Sequence, residues 1–231
     1  MKIVDEMSSL VYEGNRYTYD AICNGCSKWL SLIGKQYAEE KKILIMGEIN
    51  EKFFFLILAL LSTNSAYIPI DAKTPKGRLN SIVQQVKPDL VVTSQNYADC
   101  FEDYDNLLQE KEFCNLWGDG LAYCIFTSGS TGNPKGVMIE KKAFQSFIMG
   151  TNMAIDFTEC LSVLCITSMS FDIFGLESVY ALNQGKTVFL ANEAQRNNPR
   201  LLKSFIMQNN IDCVQMTPSR LTLLLCTDRT M

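Results

Sequence analysis

The chain has 231 residues, 47% of them apolar and 20% charged, enough to bury a sizeable core as one large domain or two small ones. Its 21 basic and 25 acidic residues leave a net charge of −4 with no basic stripe, which argues against nucleic acid as the main partner. It contains no histidine, so Ser-His-Asp and Cys-His nucleophilic systems and the commonest metal ligand are excluded from this chain. The longest apolar stretch, 53–61, is far short of the about 20 residues a membrane helix needs, so no membrane partner is expected. Asp5 and Glu6 stand where a secretory signal would carry its apolar stretch. The nine cysteines, an odd number in no repeated framework, are therefore expected as reduced thiols, and the location as cytoplasmic.

In chain order, strand-like and helix-like segments alternate. Over 18–37, Ile22, Cys26, Trp29, Leu30 and Ile33 recur at helical spacing. The pair Cys23/Cys26 has the spacing of a zinc or redox motif, but no second pair follows, and the helical register puts Cys26 on the apolar face as a small core residue. A buried strand is expected at 42–47, an apolar helix at 51–61 and a strand at 66–70. Thr74 is the expected N-cap of a helix with Pro75 at its first position, ending near Val86 before Pro88. A strand at 89–93 leads into 94–120, an acidic, irregular stretch expected to hold one exposed helix, a loop and a subdomain boundary. Beyond it the pattern predicts strand 121–126, helix 141–153, strand 161–167, helix 173–183, strand 187–190, helix 199–208, strand 212–216 and a last helix opened by Thr217-Pro218. Continuous apolar strands between amphipathic helices predict an α/β fold of doubly wound, mostly parallel sheets with helices on both faces.

In such sheets ligands bind beyond the carboxyl ends of strands. The strand 121–126 runs into Thr127-Ser128-Gly129-Ser130-Thr131-Gly132-Asn133-Pro134-Lys135-Gly136. The glycines let backbone N–H groups approach an anion, the hydroxyls add donors and Lys135 adds a mobile charge, a composition suited to a polyphosphate. A flexible Gly/Ser surface loop is the bland alternative. The register fits neither the Walker P-loop nor the dinucleotide fingerprint. A second polar segment, Ser168-Met169-Ser170-Phe171-Asp172, follows the strand 161–167, so one shared crevice is expected. Asp172 there could hold an ammonium group, or could simply cap the helix that follows.

Several motifs, in order, resemble those of the adenylate-forming superfamily, and most closely the amino-acid adenylation domains of nonribosomal peptide synthetases. They are Arg16-Tyr17-Thr18-Tyr19 with its helix, Ala66-Tyr67-Ile68-Pro69-Ile70-Asp71, the glycine loop, Phe171-Asp172 and Val214-Gln215-Met216-Thr217-Pro218-Ser219. The chain departs from the pattern at Ser62-Thr63-Asn64-Ser65, where the family carries a small glycine-containing turn. The resemblance implies that Thr127, Ser128, Gly129, Ser130, Thr131, Gly132 and Lys135 hold ATP and the departing pyrophosphate. It implies that Asp172 binds the substrate α-amino group, and that Ile173 and Leu176 line the side-chain pocket unless they are helix core. Mg²⁺ with the ATP, and a carrier protein bearing phosphopantetheine, are implied as well. The reaction would be amino-acid adenylation; a stand-alone D-alanine-type carrier ligase, an acyl- or aryl-CoA ligase and a non-catalytic nucleotide-binding fragment are the alternatives.

The family's later motifs all carry glycine, and no glycine follows Gly185. Residues 1–231 are thus expected to be the N-terminal portion of an adenylation domain, without a catalytic residue or metal ligand of its own. Its last helix, apolar on nearly all sides around 221–225, would be left for self-association.

Overall fold

A computed structural model describes residues 1–34, 40–101, 112–128 and 133–228. Ten strands form two five-stranded sheets among these residues. The first has the order β10-β8-β9-β1-β2, with β1 (Ser9–Tyr12), β2 (Asn15–Thr18), β8 (Ser162–Cys165), β9 (Thr187–Leu190) and β10 (Cys213–Val214). The second has the order β5-β3-β4-β6-β7, with β3 (Lys42–Met46), β4 (Ala66–Ile70), β5 (Leu90–Thr93), β6 (Leu121–Ser128) and β7 (Pro134–Glu140). All pairings are parallel except the hairpins β1/β2 and β6/β7.

Side chains alternate along the central strands, and both faces find cover. Ile43 and Ile45 of β3, Val163 and Cys165 of β8, and Val188 and Leu190 of β9 enter one core between the sheets. Leu44 points the other way, into an outer cluster with Ile82 of helix α3 (Lys76–Val86). Leu164 and Phe189 point outward with Leu202 of α8 (Pro199–Gln208) and Leu224 of α9 (Pro218–Leu225). Two buried faces are why these strands read as unbroken apolar runs. The middle layer holds α1 (Tyr19–Gly34) and α2 (Glu51–Leu61). Every residue of α2 from Phe53 to Leu61 is buried, as expected of a helix apolar all round. Its N-cap Asn50 accepts the Phe53 N–H at 2.9 Å. Gly25 lets α1 approach closely: a Cβ there would lie 2.3 Å from Phe55 Cδ2. Cys26 is buried on this interface, its thiol donating to the Phe55 carbonyl at 3.4 Å and pushed well up by burial, so it is a core residue. No helix among the described residues is long and apolar enough to cross a membrane.

Several elements differ from the sequence reading. β6 runs beyond the expected strand 121–126 to Ser128 and pairs antiparallel with β7, Lys135 lying opposite Thr127. The hairpin β1/β2 turns at Glu13 (φ 47°) and Gly14 (φ 81°), the left-handed pair that a tight two-residue turn needs. The N-cap of α3 is Pro75, not Thr74. The exposed helix expected after 93 is α4 (Ser94–Phe101). Helix α5 (Lys141–Ala154) follows β7 directly. The helix expected over 173–183 runs without interruption from Phe174 to Asn183, but it contains a π-helical turn, Leu176–Tyr180, before α6 (Ala181–Asn183). A short α7 (Glu193–Asn197) follows β9, its N-cap Asn192 forming a capping box with Gln195. The strand expected over 212–216 pairs only at Cys213 and Val214.

Candidate active site

The carboxyl ends of strands from both sheets face a common crevice. Glu48 follows β3, Asp71 and Lys73 follow β4, Thr167 and Ser168 follow β8, Arg196 lies on α7 after β9, and Thr217 follows β10; together they line a cavity of about 410 Å³. An adjoining cavity of about 470 Å³ is lined by Thr74, Arg78, Phe126, Thr127 and Ser170, and shares Asp71 and Phe171 with the first. Thr127 from one sheet and Ser170 from the other therefore meet on one cavity, as the two polar segments led us to expect.

Thr127 is exposed, its hydroxyl 3.5 Å from the Lys135 carbonyl. Ser128 is the last ladder residue of β6, opposite Pro134. Gly129, Ser130, Thr131 and Gly132 lie outside the described residues. Lys135 is exposed on β7, and its ammonium has no partner among the described residues. Arg78, in the first turn of α3, reaches across to β6 and donates from Nη2 to the Phe126 carbonyl at 3.1 Å.

Asp172 is exposed, and its carboxylate accepts the N–H of the next residue, Ile173, at 2.8 Å. Among the described residues it makes no capping bond further into the helix and has no cationic partner. Its charge reaches Tyr123 of β6, whose phenol is raised by burial first and by Asp172 second. Ile173 is half-buried and lines the 410 Å³ cavity. Leu176 packs on the central core and lines neither cavity.

Several charged residues escaped the sequence reading. Glu177, only 1% exposed, accepts the Ile166 and Thr167 N–H groups at 2.8 Å each and the Thr167 hydroxyl at 2.7 Å. It thus fixes the end of β8 where the Ser168–Asp172 segment begins; burial raises its carboxyl against the lowering effect of those bonds. Arg196 pairs with Glu48 across the crevice, and Lys73 pairs with Glu193 at 2.5 Å nearer the rim. Arg220 donates to the Arg196 carbonyl at 2.7 Å, and burial lowers its guanidinium. Lys141, wholly buried, donates to the carbonyls of Thr63, Ser65 and Asp119 at 2.7, 2.9 and 3.0 Å. Burial brings its amine down from 10.5 to about 8. A charge inside an apolar helical run was the one available signal for Glu177; partners distant in sequence hide the others.

A family profile for AMP-binding enzymes matches residues 5–230. The chain belongs to the AMP-binding enzyme family. Among curated relatives, tyrocidine synthase 1 of Brevibacillus parabrevis is 26% identical over 229 residues, 93% of this chain and 21% of that protein. The D-alanine–D-alanyl carrier protein ligase of Staphylococcus haemolyticus is 26% identical over 226 residues, 93% of this chain and 45% of the ligase. This AMP-binding chain thus spans a fifth to under half of these relatives' lengths. A nonribosomal peptide synthetase solved with AMPPNP superposes with a TM-score of 0.82 at 19% identity, over 96% of this chain and 25% of that one. That likeness establishes the fold: the two sheets and their helices match those of adenylate-forming enzymes.

Proposed function

We propose that residues 1–231 are the N-terminal portion of an amino-acid adenylation domain. The observation that carries this reading is the meeting of Thr127 and Ser170 on one cavity, with the unpaired carboxylate of Asp172 two residues further on. A substrate ammonium would supply the cation that Asp172 lacks, and the strand end at Thr127 would receive the phosphate chain of ATP. A substrate carboxylate oxygen attacks the α-phosphorus, the bond to pyrophosphate breaks, and an aminoacyl adenylate results. Two anions must meet, so donors and cations have to offset their repulsion. Lys135 and the amides and hydroxyls of 127–132 are the groups we assign to this task. No cluster of three or more acidic or cysteine side chains among the described residues fits a Mg²⁺ ion. The adenylate would pass to the phosphopantetheine thiol of a carrier protein in the cytoplasm.

A stand-alone carrier ligase is the second reading, favoured by the D-alanine ligase relative and by the same Asp172. Crystals soaked with a non-hydrolysable ATP analogue should show its phosphate chain against Thr127; a chain docked elsewhere sinks the proposal. In a complete domain, Asp172→Ala should abolish amino-acid-dependent ATP–pyrophosphate exchange while leaving nucleotide binding intact. The 231-residue chain by itself should show negligible exchange.

A further inference from the structure

The mouth of the 470 Å³ cavity carries a cation that the resemblance does not assign. Arg78 is half-buried on α3, and the bond from its Nη2 to the Phe126 carbonyl is the only hydrogen bond of its side chain among the described residues. A guanidinium has five N–H donors, so most of this fork is unused. Among the described residues the one acidic group lining the same cavity is Asp71, whose carboxylate accepts the Lys73 N–H at 2.8 Å and forms no ion pair with Arg78. Phe126, the residue Arg78 grips, immediately precedes Thr127, and Thr127 lines the cavity as well. A half-buried guanidinium with no counter-ion among the described residues is poised for an anion, and its planar fork matches phosphate oxygens two at a time. Lys135 offers a charge on an exposed, flexible stem. Arg78 offers one already held in place, so less freedom is lost on binding.

We propose that Arg78 is the fixed cation of the phosphate site: seated on the Phe126 carbonyl, it presents its free N–H groups to the phosphate chain of a nucleotide lying against Thr127. This rests on the adenylation reading and adds to it a binding residue. Three proteins are compared by calorimetric titration with ATP, inorganic tripolyphosphate and adenosine: the wild-type chain, Arg78→Gln and Arg78→Lys. Gln keeps an N–H for Phe126 and removes the charge; Lys keeps the charge and removes the fork. The wild type should bind ATP and tripolyphosphate. Arg78→Gln should weaken both by about tenfold or more, leave adenosine unchanged and melt at the wild-type temperature. Arg78→Lys should fall between. Should Arg78→Gln fold poorly, Arg78→Lys decides alone: an affinity for tripolyphosphate equal to wild type overturns the proposal. Equal affinities in wild type and Arg78→Gln overturn the role of Arg78 and leave the adenylation reading standing. A wild-type chain that binds neither ATP nor tripolyphosphate overturns both.

Discussion

Lys141 shows how one side chain can tie distant segments together. The Thr63 and Ser65 carbonyls of the turn at 62–65 point at its ammonium. The same ammonium holds the Asp119 carbonyl, and the Lys141 N–H donates to Gly120 at 2.9 Å, so the roots of β6 and β7 are tied to the α2–β4 turn. Lys141→Met would strand three carbonyls at about 1–3 kcal/mol each, partly offset by relief of the buried charge. A net loss of about 2 kcal/mol at pH 7, seen as a lower urea midpoint, is the expected outcome. The pH dependence has a definite sign. The folded amine sits at about 8 against 10.5 for the unfolded chain, so between those values the unfolded state holds the extra proton. Wild type should therefore gain stability over Lys141→Met as pH rises through that window, by up to about 1.4 kcal/mol per pH unit, and lose it as pH falls through 8. Parallel unfolding curves for the two proteins from pH 7.5 to 9.5, a range about that window, would contradict the assignment. None of this was visible in the sequence, where Lys141-Lys142 reads as an exposed helix start; the carbonyls that bury it lie 22 to 78 positions away.

Elements were legible in proportion to how much of their environment was local. Helix α2 has the bounds its pattern announced, because nine buried apolar residues follow a capping asparagine and the first helical pair, Glu51-Lys52. β9 and α8 were equally plain, the latter marked by Asn198 and Pro199. β7 went unseen because it is a mostly exposed edge strand whose proline and glycine read as loop. The β1/β2 hairpin hid behind a Glu at positive φ, a poor turn signal. Around the candidate site, Thr127 and Phe171 stand in sequence patterns that mark strand ends, whereas Glu177 and Arg78 act on strand ends that only the fold brings near. The contact between α1 and α2 is a prediction at this scale. Gly25→Ala puts a methyl group where Phe55 now lies, in the innermost layer with no free space to yield. We expect a loss of about 1–3 kcal/mol, measured as a shift of the urea midpoint with unchanged slope; a neutral substitution would mean the ring moves aside freely.

At the scale of the molecule, five layers alternate between helix and sheet, and the outermost is the least covered. Leu221, Leu223 and Leu225 of α9 are 44%, 58% and 66% exposed while Leu224 alone turns inward. Such a row of exposed leucines favours association with another apolar surface. Sedimentation velocity should show concentration-dependent self-association, reduced in Leu223→Lys; a monomer at all concentrations would argue against it. Among the described residues the crevice between the sheets is bridged twice, once by Arg196 and Glu48, 10% and 35% exposed, and once by Lys73 and Glu193, 68% and 47% exposed. Molar electrolyte shrinks the reach of an open charge pair to about 3 Å and leaves a sheltered pair almost untouched. Rising ionic strength should therefore loosen the Lys73–Glu193 bridge well before the more sheltered Arg196–Glu48 bridge, so the two clasps of the cleft differ in what can undo them.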